Sequence, residues 1–392
     1  MCLKENCYVI EADQSIGRQI DPTMPVAERL ALQPIDPDVI VDEIILRADS
    51  IGISLPKGRA KRELEKMIRD AAAEKRRSIL MPICDNSLTT EEQAKATKNF
   101  EALAQVFDMP ETLCVAAVKQ LMWSVKRKQL RLPVSYPQMP IVTNRIQGSG
   151  KTAFVARLLG PLKELATDPV QISALTDPFG QQLMNYAVVN IDDAGASART
   201  KVSVLKAIIT NGRIQSRAMR KSRQDRREQL TTFIATTNEH ITHLIPDTSG
   251  HRRFVVLPLK NGAVEKGGSA DIWLIINSLD FQLMWRSVSH EAEEPIKAVL
   301  KELHAYQRAY VPPDILEQWV KSFDPNSEQA RNIIGPAGIT ATLLYELYVD
   351  ETGDEIGPTE FGRRLRPYLG QPEIPFSRKK RTASGFVYVL RR

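Results

Sequence analysis

"NRIQGSGKTAF", residues Asn144 to Phe154, ends like a phosphate-binding loop and begins unlike one. The pattern G-x-x-x-x-G-K-[ST] asks for a glycine where this chain has Arg145. In such a loop the backbone N–H groups of the last turn face an anion, and the helix that follows turns its N-terminus toward it. Gly148, Ser149 and Gly150 are the small residues that let the backbone approach, and Gln147 and Ala153 flank the stretch expected to touch a nucleotide. Lys151 is placed to reach the β- and γ-phosphates, and the Thr152 hydroxyl to bind Mg²⁺. The missing glycine would only ease the turn, so its loss weakens the pattern without removing a ligand. Taken alone, "GSGKT" also suits an ordinary turn and helix cap.

The surroundings decide between these readings. A short apolar run, "SYPQMPIVTN", leads into the loop, and "TAFVARLLGPLKEL" after it is helical. "NYAVVNIDDAG" reads as a second strand, "QLTTFIATTNEH" as a third and "RRFVVLPL" as a fourth. Short apolar strands separated by helices predict an α/β fold with a parallel sheet covered on its faces. A nucleotide hydrolase needs a carboxylate at a neighbouring strand end to hold Mg²⁺ through water, and another to orient the attacking water. Asp192 suits the first role and Asp193 the second, although paired acids also start turns. Asn238, at the tip of the third strand, could hydrogen-bond the γ-phosphate or the water. In "DTSGHRRF", Arg252 or Arg253 could stabilise charge on a transferring phosphoryl group, or both could be plain surface residues.

Composition limits the alternatives. The 392 residues suffice for two or three domains, and 43% hydrophobic with 26% charged is a soluble globular balance. No apolar run approaches bilayer length, and the start lacks a basic stretch followed by an apolar one, so a cytoplasmic protein with no membrane partner is expected. The cysteines, Cys2, Cys7, Cys84 and Cys114, are too scattered for a disulfide framework; a zinc site on the Cys2–Cys7 pair would lack two ligands. The net charge of +6 is concentrated in two places. Between Arg199 and Arg227 stand ten Lys or Arg residues against Asp225, and from Phe361 onward nine against Glu373. Such clusters are the footprint of phosphate neutralisation.

Residues 1–57 read as an irregular lead with one short helix, and 58–130 as a helical domain. Residues 131–265 form the expected ATPase core, 266–330 a helical lid or linker, and 331–392 two helices followed by a basic hairpin turning at Ala383-Ser384-Gly385. That last order suits a winged-helix-like module.

With Lys151, Asp192-Asp193, Asn238 and Arg252-Arg253 in this order, the chain resembles the virulence-associated protein E family, and more distantly the superfamily 3 helicases and poxvirus-type primase-helicases. "TTNEHITHLIPDTSGHRRFVVLPL" is the most specific stretch, and the match covers roughly residues 90 to 260. The resemblance implies an AAA+ ATPase core that uses ATP and Mg²⁺, assembled as a hexameric ring around single-stranded or forked DNA. It implies that the arginine finger acts on the neighbouring subunit's nucleotide. It also implies a hairpin between the metal strand and the Asn strand that grips DNA, with Arg217, Arg220, Lys221 and Arg223 as contacts. The resemblance to an attached winged helix adds Lys379, Lys380 and Arg381. An Asp pair stands where many relatives carry an acid followed by Glu or Asn, which makes Asp193 the weaker assignment. No primase pattern precedes the core, so a separate primase or loader is an expected partner. A DNA helicase of mobile elements is the leading expectation; its rivals are an AAA+ initiator that melts an origin without processive unwinding, and a non-catalytic DNA-binding protein with a degenerate loop.

Overall fold

The apolar runs that flank the glycine loop come together as one sheet. β3 (Met139–Thr143), β4 (Val188–Ile191), β7 (Thr232–Thr237) and β8 (Phe254–Pro258) pair in the order β4-β7-β3-β8. Every pairing is parallel. The strands are buried nearly throughout, as expected when both faces of a parallel sheet are covered. The chain is a computed structural model that describes residues 8–18, 36–175, 178–192, 202–210, 213–217, 224–239, 251–260, 270–310, 314–354, 356–382 and 385–391.

Two compact units are present, Met1–Tyr310 and Val311–Arg392. The first opens with β1 (Tyr8–Ile10) and β2 (Ile16–Arg18), an antiparallel hairpin, and α1 (Pro37–Ser50). The expected irregular lead therefore holds a hairpin as well as its helix. The strands are too short to show a period, and the turn depends on Asp13, whose carboxylate accepts from the Ser15 N–H at 2.9 Å and its hydroxyl at 2.6 Å. Next come α2 (Lys57–Cys84), α3 (Thr90–Gln105) and α4 (Glu111–Gln129). Thr89 and Glu92 close a reciprocal capping box at the start of α3, which fixes that boundary. Helix α4 is buried along most of its length and packs on β3 and β7.

After the glycine loop comes α5 (Lys151–Leu159), continued by a 3-10 turn over Gly160–Leu165. α6 (Val202–Thr210) precedes a separate antiparallel ribbon, β5 (Arg213–Arg217) with β6 (Gln224–Glu228). α7 (Ala270–Ser278), α8 (Phe281–Ser287) and α9 (Leu300–Ala309) complete the unit.

The second unit holds α10 (Ile315–Ser322), α11 (Glu328–Ile333), α12 (Ala341–Thr352) and α13 (Pro358–Leu365). Its sheet pairs β9 (Ile334–Gly335), β10 (Gly338–Thr340), β11 (Phe376–Thr382) and β12 (Gly385–Leu390) in the order β11-β12-β10-β9. Trp319, Tyr348, Phe361 and Phe376 pack in its core.

Candidate functional site

Parallel strands put their C-terminal ends on one side, and the predicted residues gather there. Register sets Val142 opposite Thr236 and Thr143 opposite Thr237, so the glycine loop after β3 and Asn238 after β7 leave the sheet side by side. Ile191 pairs with Ala235, which brings Asp192 next to them. Gly148 and Gly150 have φ of +77° and +87°, a left-handed backbone in which glycine carries no Cβ penalty. Gly150 is doubly required, because a Cβ there would lie 2.4 Å from Trp273 Cζ2 on α7.

A cleft of about 400 Å³ is lined by Gln147, Gly148, Ser149, Gly150, Lys151, Thr152, Ala153, Asp192, Thr236 and Asn238. Within it the Lys151 ammonium donates to Asn238 Oδ1 at 2.5 Å, Ser149 Oγ at 3.1 Å and the Asn144 and Ile146 carbonyls at 3.2 and 3.3 Å. Asp192 Oδ1 accepts two hydroxyls, Thr152 at 3.0 Å and Thr236 at 2.6 Å. Asn144 ties the loop down: its amide nitrogen donates to the Leu259 carbonyl at 2.8 Å and its side-chain oxygen accepts from the Ile146 N–H at 2.8 Å. Arg145 lines a different cavity, with Asp108, Glu239 and Lys260, so the replaced glycine leaves the cleft's lining unchanged.

Thr236 is the residue that reading the sequence missed. It lies inside "ATTN", quoted above for Asn238 alone; the period of two places residue 236 on the same side of the strand as 238, which was the available signal. Asp193 lies outside the described residues.

Arg252 and Arg253 are not brought to this cleft. Both precede β8, whose first residue Phe254 pairs with Met139 at the start of β3. A strand of this length spans roughly 17 Å, so the arginines lie at the opposite end of the sheet. Arg252 is exposed, while Arg253 is half-buried with its Nε unpartnered.

The ribbon β5–β6 also roots at that far end. Arg217 ends β5, opposite Gln224, and Arg220, Lys221 and Arg223 lie outside the described residues. Helix α4 holds the root: Lys128 Nζ donates to the Thr231 carbonyl at 2.7 Å, Gln129 Nε2 to the Leu230 carbonyl at 2.9 Å, and Arg131 pairs with Glu228. Burial pushes the Lys128 amine down to about 8.

In the second unit Lys379, Lys380 and Arg381 are exposed on β11, opposite Tyr388, Val387 and Phe386. Lys379 Nζ sits 4.4 Å from the centre of the Phe386 ring. Among the described residues no helix is long and apolar enough to cross a membrane, and no cluster of three or more His, Cys, Asp or Glu side chains could hold a metal. Cys2 and Cys7 lie outside the described residues, and Cys84 and Cys114 are free thiols.

Residues 86–278 match the virulence-associated protein E-like domain, a span that includes the whole cleft, both arginines and the ribbon. No curated protein matches the chain. Among solved structures, the chain is similar to the A form apo structure of the NrS-1 C-terminal region, at 16% identity and a TM-score of 0.44, covering 79% of this chain and 78% of that one. It is also similar to the X-ray structure of JCV helicase, at 13% identity and a TM-score of 0.28, covering 80% of this chain and 89% of that one.

Proposed function

We propose that this chain, which carries a virulence-associated protein E-like domain, is an ATP-driven, Mg²⁺-dependent DNA helicase that translocates on single-stranded DNA during replication of a phage, plasmid or integrated mobile element. The observation that carries this reading is the convergence of Lys151, Asn238, Thr152 and Asp192 on one glycine-lined cleft.

The residues present suit a triphosphate and its metal. The left-handed glycines open the loop backbone to a phosphate chain, and α5 directs its N-terminus the same way. The Lys151 ammonium supplies charge for the β- and γ-phosphates, and the Thr152 hydroxyl with the Asp192 carboxylate forms a hard oxygen pair for Mg²⁺. When bound, ATP supplies the phosphoryl group whose hydrolysis releases energy, and Mg²⁺ neutralises its developing charge. Asn238, held against the ammonium, would hydrogen-bond the γ-phosphate or the attacking water, and Asp193 would orient that water. Because Arg252 and Arg253 sit a strand's length from their own cleft, we assign the finger to the neighbouring subunit's nucleotide, in a hexameric ring. The ribbon with Arg217, Arg220, Lys221 and Arg223 would grip the strand, and the second unit would act as a winged-helix-like module through Lys379, Lys380 and Arg381. A separate primase or loader completes the expected machinery.

Lys151→Ala should abolish DNA-stimulated ATP hydrolysis and strand displacement together; a variant that kept its DNA-stimulated ATPase activity would refute the proposal. The exposed basic strand β11 favours a second reading, an initiator that binds an origin through the second unit. Melting of an origin duplex without processive displacement of a long strand would select it.

A further inference from the structure

Helix α2 carries more positive charge on one face than its packing uses. At 100° per residue, Arg59, Arg62, Lys66, Arg69, Ala73 and Arg76 fall within an arc of about 100° and extend over about 25 Å. No acid lies inside that arc; Glu65 borders one side, and Glu63, Asp70 and Glu74 follow the other. The remaining lysines are spoken for: Lys57 pairs with Asp42, Lys61 with Asp38, and Lys75 with Glu11 and Glu164. Arg59, Arg62, Lys66 and Arg69 are exposed, and among the described residues none of their side chains has an ion-pair or hydrogen-bond partner.

The stripe leads into a cleft of about 740 Å³, where Arg69 and Arg76 face Gln129, Arg131 and Glu228. Glu228, the acid that lines it, is already paired with Arg131. Arg76 donates to Gln129 and to the Asn185 carbonyl, which fixes its guanidinium at the wall. Gln14 and Arg131, two non-glycine residues with positive φ, both line this cleft, and held strain of that kind gathers at functional positions. The cleft lies at the root of ribbon β5–β6, whose described strands carry Arg213, Arg217, Arg226 and Arg227.

We infer that the Arg59–Arg76 face of α2 and the cleft it enters form a second nucleic-acid contact, which carries the phosphates of a single strand onward from the β5–β6 ribbon. Unpaired basic side chains spaced along a helix suit a repeating backbone of phosphates. The cleft's volume is that of a small-molecule pocket, which suits a few nucleotides of one strand. The inference rests on the proposed DNA role and adds to it a binding surface outside the ribbon and the second unit.

The test is anisotropy of a labelled oligothymidylate against the full chain over a range of NaCl concentrations. The triple variant Arg62→Gln, Lys66→Gln, Arg69→Gln should bind at least about tenfold more weakly at low salt, with a log–log salt slope shallower by about 2, since each single-strand phosphate contact contributes about 0.7. ATP hydrolysis without DNA should be unchanged. A control that removes equal charge elsewhere, Lys98→Gln, Lys301→Gln, Arg308→Gln, should leave affinity and slope close to the parent's. Equal loss in both triples would mean net charge alone acts, and parental binding by the α2 triple would mean the stripe is only solvated; either overturns the inference. Should Gln substitution unfold the helix, Arg62→Lys with Arg69→Lys against the single Arg69→Glu gives the same decision, the first retaining binding and the second losing it. Absence of any binding by the parent chain would instead remove the DNA role itself.

Discussion

The two ends of the four-stranded sheet are built from different chemistry. At the C-terminal end the backbone makes the site: left-handed glycines, one ammonium with four oxygen acceptors, and one carboxylate oxygen shared by two hydroxyls. At the N-terminal end long cationic side chains dominate: Arg252 and Arg253 precede β8, while Arg131 and half-buried Lys128 stand at the root of the ribbon. The first arrangement is suited to one small, highly charged ligand in fixed geometry. The second is suited to partners that slide or dock, because guanidinium and ammonium groups on flexible stems tolerate changes of position. Strand β7 belongs to both: Thr236 and Asn238 finish it at the cleft, and Lys128 and Gln129 hold the residues that lead into it from the ribbon.

The sharpest way to break this contrast is to separate the ends onto different molecules. Lys151→Ala and the double variant Arg252→Ala, Arg253→Ala should each be inactive alone, yet an equimolar mixture should recover ATP hydrolysis at about a quarter of interfaces, if subunits mix at random in a ring. No recovery on mixing would place the arginines outside catalysis. A smaller effect separates the ends of a single strand. Thr236→Val removes one hydroxyl from the Asp192 carboxylate, and hydrogen bonds to charged groups are worth about 1.5–3 kcal/mol, so turnover should fall about ten- to a hundredfold with folding intact. Thr232→Val, at the other end of β7, removes a buried hydroxyl that has no partner and should leave turnover and stability within experimental error or slightly improved. Steady-state kinetics and thermal melts of the pair decide it.

A third effect concerns pH. The half-buried Lys128 amine, near 8 in the fold against 10.5 for the free side chain, binds its proton less readily when folded. Unfolding therefore takes up a proton between those values, and the parent should gain stability relative to Lys128→Met as pH rises from about 8 to about 10.5, by at most about 1.4 kcal/mol per pH unit. A flat difference in urea midpoints across that range would show that Lys128 titrates normally.

Much of the cleft was legible because apolar runs of four to six residues mark buried strands, and the glycine loop, Asp192 and Asn238 each follow one. The sheet order was not legible: that β7 lies between β4 and β3 follows from three-dimensional pairing, and with it the meeting of Thr236 with Asp192. Trp273 is similar, since nothing between residues 150 and 273 announces that an indole closes against Gly150. The hairpin in the lead was missed because strands of three residues fall below any periodic signal. Charge, by contrast, was legible as composition but not as surface: α2 read only as part of a helical domain, and its one-sided arrangement emerges when packing fixes which face is buried.

β7 is buried along its full length, its residues facing alternately toward opposite sides of the sheet. Adding or deleting one residue between Thr231 and Asn238 would exchange those sides, turning Thr236 away from Asp192 and breaking the hold of Lys128 in a single event. The ribbon upstream is a separate two-stranded pair outside that sheet. Divergent copies of this gene should therefore show gaps and expansions freely within the ribbon, while this eight-residue interval keeps one length.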